Sequence, residues 1–183
     1  MNGIGLRSAL RHNTQDEHDR LDAQIGDFSD LQSYRSFLVG SYRFRKCLEP
    51  ATSTIGFWNA ELLLEELTHD LEDLGAGIVS APVTALRAET QAEQLGLLYV
   101  LEGSALGARI LFRRAEQLGF TQTHGARHLA GQVSDPRRWR NFLTMLESLG
   151  DIDQSLAIRG ARACFTAALT HFIEVQSEPS QFA

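Results

Sequence analysis

The sequence predicts an all-α fold in a single multi-helical domain, residues 1–183, and three observations predict it. Apolar residues recur at spacings of three and four along most of the chain, and nothing alternates convincingly as a sheet would. The four prolines, at 50, 82, 136 and 179, fall between helical patterns. Hydrophobic content of 43% and charged content of 22% suit a globular chain long enough to bury both a core and a ligand.

The first helix is expected from Leu6 to Ile25, with Leu10, Thr14, Leu21 and Ile25 as its buried stripe and Gly26 as its stop. Asp30 caps a second helix lasting to about Leu48, with Tyr34, Phe37, Leu38 and Tyr42 inward. Pro50 and Gly56 mark a break before a third, amphipathic helix from Trp58 to Leu74. Residues 75–83, GAGIVSAPV, read as loop. A long glycine-bearing helix follows from Leu86 to Leu118. Residues 119–136 are expected to be irregular, with one helical turn at most. Pro136 opens a helix capped by Asp135 and ending near Gly150. The last helix spans Asp153 to Gln176, with a loose tail behind it.

Charge and motifs exclude several classes. Net charge is −6, so no overall basic field invites nucleic acid. No secretory signal is expected, because the N-terminus lacks an apolar stretch and meets a polar helix by Arg7, and no membrane span, because Glu102 and Arg109 interrupt the most apolar segment. Two cysteines, Cys47 and Cys164, supply no disulfide framework and suit a reducing cytosol, so a cytoplasmic location is expected. No P-loop, dinucleotide fingerprint or nucleophile elbow is present. His124 and His128 share the i,i+4 spacing of a metal pair, but they lie in a glycine-rich stretch and read as polar loop. Glu66 and His69 form one Glu-x-x-His, where a di-iron bundle needs two.

Two segments carry chemical information. In LGLLYVLEGSALGARIL, Gly96, Gly103 and Gly107 fall within about 60° of one helix face. A glycine inside a helix costs about 1 kcal/mol relative to alanine, so three call for a reason. Either another helix packs closely there, or a large ligand approaches the main chain. In the first helix, Arg7, Arg11 and His18 form a line, and Asp22 stands one turn beyond His18. An acid at that spacing sets the imidazole tautomer and leaves Nε2 free for a metal. Arginines on the same stripe can hold carboxylates, although a solvated ion-pair ladder has the same pattern. Taken together, the two faces suit a flat apolar ligand with a metal centre and two carboxylates, which is haem.

The chain resembles the haem (heme) oxygenases, and most closely their bacterial branch. The likeness runs through LRSALRHNTQDEHDRLD, EELTHDLEDLG, YVLEGSALGARIL and ARACFTAALTHF, nearly the whole chain. It implies an enzyme for which haem is both substrate and cofactor: reducing equivalents and O2 open the ring to biliverdin, carbon monoxide and ferrous iron. It implies His18 as the proximal iron ligand, Asp22 as its acidic neighbour, and Gly103 and Gly107 as distal glycines beside Ser104. It implies Arg11, and more loosely Arg138, as partners of the haem propionates, and Phe165 as an aromatic near the haem. Ser104 and Ala108 stand where the mammalian type has an aspartate and a glycine, as in the bacterial branch. The implied partners are haem, O2 and a separate ferredoxin or NAD(P)H-dependent reductase, with a biliverdin-binding photoreceptor as a further option and no nucleic acid or membrane. Rival readings are a non-catalytic haem carrier or sensor on the same fold, and a haem-free relative on the thiaminase-like scaffold.

Overall fold

A computed structural model describes residues 5–76 and 83–177. Among them are eight helices and no strand: α1 (Leu6–Asn13), α2 (Gln15–Ile25), α3 (Leu31–Thr52), α4 (Leu64–Asp73), α5 (Gln91–Gln117), α6 (Arg127–Val133), α7 (Arg138–Ser148) and α8 (Gln154–Ser177). The last helix is the hub: α1, α2, α3 and α5 all pack on α8, while α4, α6 and α7 complete the shell. The core is leucine-rich and includes Leu10, Leu38, Leu48, Leu67, Leu95, Leu97 and Leu98, all fully buried, each contributing about 2 kcal/mol by leaving water.

The first predicted helix is two. Asn13 Nδ2 donates to Ala9 O and Thr14 Oγ1 to Leu10 O, each at 2.9 Å. Such side-chain bonds to the carbonyl four residues back bend or interrupt a helix, and Thr14 leaves helical geometry (φ −125°, ψ 10°). Asp30 caps α3 as expected, accepting from Ser33 N at 2.8 Å while Ser33 Oγ accepts from Asp30 N. That helix runs past Pro50, which sits in its last turn.

The predicted helix from Trp58 starts only at Leu64. Long-range polar contacts hold the preceding stretch instead: Arg45 Nη1 donates to Glu61 O at 2.8 Å and Leu63 N to Glu49 Oε1 at 2.7 Å. The glycine-bearing helix starts late, at a Thr90–Glu93 capping box, because Leu86 N is drawn to Cys47 O at 2.9 Å. Of the predicted 75–83 loop, Gly75, Ala76 and Val83 are non-helical and 77–82 lie outside the described residues. The irregular 119–136 stretch holds the short helix α6.

The end of α6 is clipped to α4 by a buried carboxylate. Asp70 accepts from Arg127 N (2.9 Å), Arg127 Nη1 (3.2 Å), His128 N (3.0 Å) and His128 Nδ1 (2.8 Å). Asp73 accepts from Gly125 N at 2.7 Å and from Arg127, with His124 Nδ1 at 3.2 Å. Tyr34 Oη donates to Gly125 O at 2.7 Å. His124 and His128, the spacing pair, are thus engaged by two different carboxylates.

By length and composition, α5 is the one helix among the described residues that could cross a membrane. Here its apolar surface goes in part to α8. Gly96 touches the α8 main chain: a Cβ there would stand 2.1 Å from Ala157 O and 2.6 Å from Ala161 N. Gly160 answers from α8, where a Cβ would stand 2.3 Å from Glu93 O.

Two predictions follow from this packing. Gly96→Ala pushes a methyl against a carbonyl that cannot rotate away and should cost about 3 kcal/mol, or roughly 10 °C in Tm. Gly107→Ala meets nothing within 4 Å and should raise Tm by about 3 °C through helix propensity; thermal unfolding of both variants checks the contrast. The second concerns acid. Burial pushes His128 below the ordinary histidine range. Burial pushes Asp70 the other way, but its hydrogen bonds from His128 and Arg127 outweigh that and hold its carboxyl below the usual carboxylate range. Both folded values lie below the unfolded ones, so both stabilise at neutral pH and lose that contribution as pH falls: His128 below about 6.5 and Asp70 below about 4. Asp70→Asn should cost about 3 kcal/mol at pH 7 and flatten the pH dependence of urea unfolding on the acid side.

Candidate functional site

Past its crossing with α8, α5 turns a bare face outward. At 100° per residue, Tyr99, Gly103, Leu106, Gly107 and Ile110 share one arc of about 100°. A Cβ on Gly103 would first meet the Trp139 ring, at 3.7 Å, and one on Gly107 would meet nothing. Leu106 and Ile110, flanking Gly107, are 51% and 57% exposed. Aliphatic side chains this open, on either side of a glycine, make a surface that an apolar partner would cover. The glycine strip therefore has two uses: close helix packing at Gly96 and open main chain at Gly107.

The helix α2 lies on α8 as well, without packing substantially against α5. It carries His18, whose side chain is 55% exposed. The ring meets Phe165 of α8 edge-on, with centroids 6.2 Å apart and planes at 71°. His18 Nδ1 stands 3.4 Å from Asp22 Oδ2 and 3.8 Å from Asp19 Oδ1. The predicted His18–Asp22 pairing is thus present in the geometry, with Asp19 as a second acid. An imidazole with acids at Nδ1 keeps Nε2 available to a metal. Phe165 itself is buried.

Arg11 lines a groove of about 530 Å³ with Leu6, Arg7, Leu149 and Ile152. It also faces Tyr99: burial raises the phenol's pKa, while the charges of Arg11 and Arg7 pull it back. Tyr99 stacks at a tilt on Trp139, with centroids 5.6 Å apart. Arg7 Nη1 stands 3.7 Å from Glu147 Oε1, so the groove that Arg11 and Arg7 line also carries an acid. Tyr99 falls on the glycine arc one turn before Gly103, and that position is the sequence signal that marks it.

Arg138 does otherwise than the sequence suggested. Its Nε and Nη2 each bond a Glu102 oxygen at 2.7 Å, and Nη2 also donates to Asn59 O at 2.7 Å. Trp58 Nε1 donates to Glu102 Oε1 at 2.8 Å, and the guanidinium lies over the Trp58 ring. Glu102 is buried, so a buried acid of the chain itself takes the forked contact expected for a ligand carboxylate. The pair anchors the segment before Gly103 from behind. Ser104 is engaged too: its Oγ donates to Leu101 O at 2.7 Å and accepts from Gln132 Nε2 at 3.0 Å. Gln132, on α6, is a neighbour that sequence reading missed, since nothing local connects residues 28 apart. Among the described residues no cluster of three metal-ligating side chains occurs, so a metal here would take His18 from the protein and the rest of its ligands from the group that carries it.

No family model matches the chain. It is 30% identical over 165 residues to a Pseudomonas aeruginosa protein named heme oxygenase PigA, over 83% of each chain. It is 31% identical over 110 residues to a protein of Xanthomonas campestris pv. campestris named heme oxygenase, covering 59% of this chain and 66% of that one. Among solved structures, the NO- and CO-bound heme oxygenase from Neisseria meningitidis matches with a TM-score of 0.82 and 27% identity, over 98% of this chain and 96% of that one.

Proposed function

The chain belongs to the haem oxygenase family, and on that premise we propose that it opens haem with O2 and electrons to biliverdin, carbon monoxide and ferrous iron. One juxtaposition carries the reading. An open imidazole on α2 and a bare, exposed apolar face on α5 both stand on α8, without substantial packing between the two helices. The residues fit the group: His18 for the iron, the Gly103–Ile110 face for one side of the ring, and Arg11, Arg7 and the Tyr99 hydroxyl for carboxylates at its edge. Bound haem supplies both the iron that activates O2 and the carbon skeleton that is cleaved.

The protein's part is orientation and exclusion. His18, with Nδ1 3.4 Å from Asp22 Oδ2, would hold the iron through Nε2. Main chain at Gly107 and aliphatic carbon at Leu106 and Ile110 would cover the ring and shield it from water. The Ser104 hydroxyl proton is committed to Leu101 O, so it does not act as a strong acid in the slot. The face formed by Gly103, Leu106, Gly107 and Ile110 would offer a bound group main chain and aliphatic carbon, and no acid–base side chain. Electrons reach the slot from a separate ferredoxin or NAD(P)H-dependent reductase, in a cytoplasmic protein.

The test joins haemin titration with pigment analysis. Wild-type protein should bind haemin 1:1 with a sharpened Soret band, lose that band under O2 and a reductase, and yield biliverdin. His18→Ala should lose the band shift and all pigment. Gly107→Ala should slow turnover about tenfold, the effect of roughly 1.4 kcal/mol on the barrier, although it steadies the fold. A Soret band that persists under O2 and electrons would instead identify a carrier or sensor.

A further inference from the structure

The helix that carries His18 has an unusual attachment. None of its side chains is fully buried: Leu21 and Ile25 pack half-buried on the core, and polar groups from other helices hold its ends. Behind it, Arg114 of α5 donates to Gly26 O at 3.2 Å and pairs with Asp27 at 2.5 Å. Gln176 Nε2 of α8 donates to Gln24 O at 2.8 Å. In front of it, Arg162 of α8 donates to Asn13 O from Nε at 3.1 Å and from Nη2 at 2.9 Å, and Nε lies 3.1 Å from Glu17 Oε1. Asn13 closes α1, where terminal carbonyls lack a helical donor. The guanidinium therefore caps α1 and, in the same grip, takes the side chain immediately before His18. Three residues along α8, Phe165 touches the His18 ring.

We propose that Arg162 is a positioning residue for the iron ligand: it fixes the break between α1 and α2 and thereby the height and rotation of the His18 imidazole. The inference rests on His18 being that ligand. Leu21 and Ile25 seat the C-terminal half of α2 on the core, while the half next to the Thr14 break is located by holding the Asn13 carbonyl and Glu17 together. A forked guanidinium reaches both at once, and a lysine ammonium has no such geometry. The Arg162 side chain is 52% exposed and Glu17 22%. A pair open to water on one side contributes modestly to global stability, so losing Arg162 acts on ligand geometry more than on folding.

The experiment compares haemin with metal-free protoporphyrin IX, which has the same ring and carboxylates without the iron. Both are titrated into wild type, Arg162→Met, Arg162→Lys, Glu17→Gln and His18→Ala. Wild type should prefer haemin, and His18→Ala should erase that preference. Arg162→Met should weaken haemin about tenfold, as loss of support behind a metal ligand does. Its protoporphyrin affinity should stay within about twofold and its Tm within about 2 °C. Arg162→Lys should recover part of the loss, and Glu17→Gln should show a smaller loss of the same kind. Equal weakening toward both porphyrins, or none toward haemin, overturns the proposal while His18→Ala still erases the preference. If His18→Ala keeps the preference, the ligand assignment falls, and the positioning role with it.

Discussion

Everything in the slot follows from the contact of main chain with main chain where α5 crosses α8. Gly96 and Gly160 bring the two helices so close that a single added methyl on either would overlap the other's backbone. Farther along the same face the neighbour changes: at Gly103 it is the Trp139 ring at ordinary contact distance, and at Gly107 there is none. The open wall is thus the continuation of the packed face. α8 also carries α2 on its flank, so the same helix fixes both sides of the gap.

Much of this was legible in the residues, and the exceptions have physical causes. Helix type and order came through because apolar spacing and caps such as Asp30 act within one or two turns. The break at Thr14 did not, since threonine's bond back to Leu10 O leaves the apolar spacing unchanged. The late start of α4 escaped for a different reason: Trp58, Asn59, Glu61 and Leu63 are held by groups on α3, α5 and α7 that the local pattern does not report.

The site shows the same division. His18, Asp22, Phe165 and the glycines lie where helical geometry puts them, because each relation runs along one helix or rests on one repeated residue type. The contact of Arg138 was not legible because its partner, Glu102, is 36 residues away and reads in sequence as an interruption of an apolar run. The glycine strip was read as serving either packing or a ligand; it serves packing at Gly96 and remains open at Gly107. Spacing cannot separate the two uses, since all three glycines point the same way and only the departure of α8 distinguishes them.

The two walls are built on opposite principles. α5 is set in the core, with Glu102 buried against Arg138 and Trp58 and Gly96 locked on α8, so its main chain at Gly103 has little freedom. α2 is held differently: Leu21 and Ile25 pack half-buried on the core, and guanidiniums and an amide from α5 and α8 grip its ends. Polar contacts at the surface are remade at little cost in water, so α2 has room to settle while the core stays closed. The glycines thus sit on a helix with deep buried anchorage, and His18 on one held by a narrow apolar strip and polar grips.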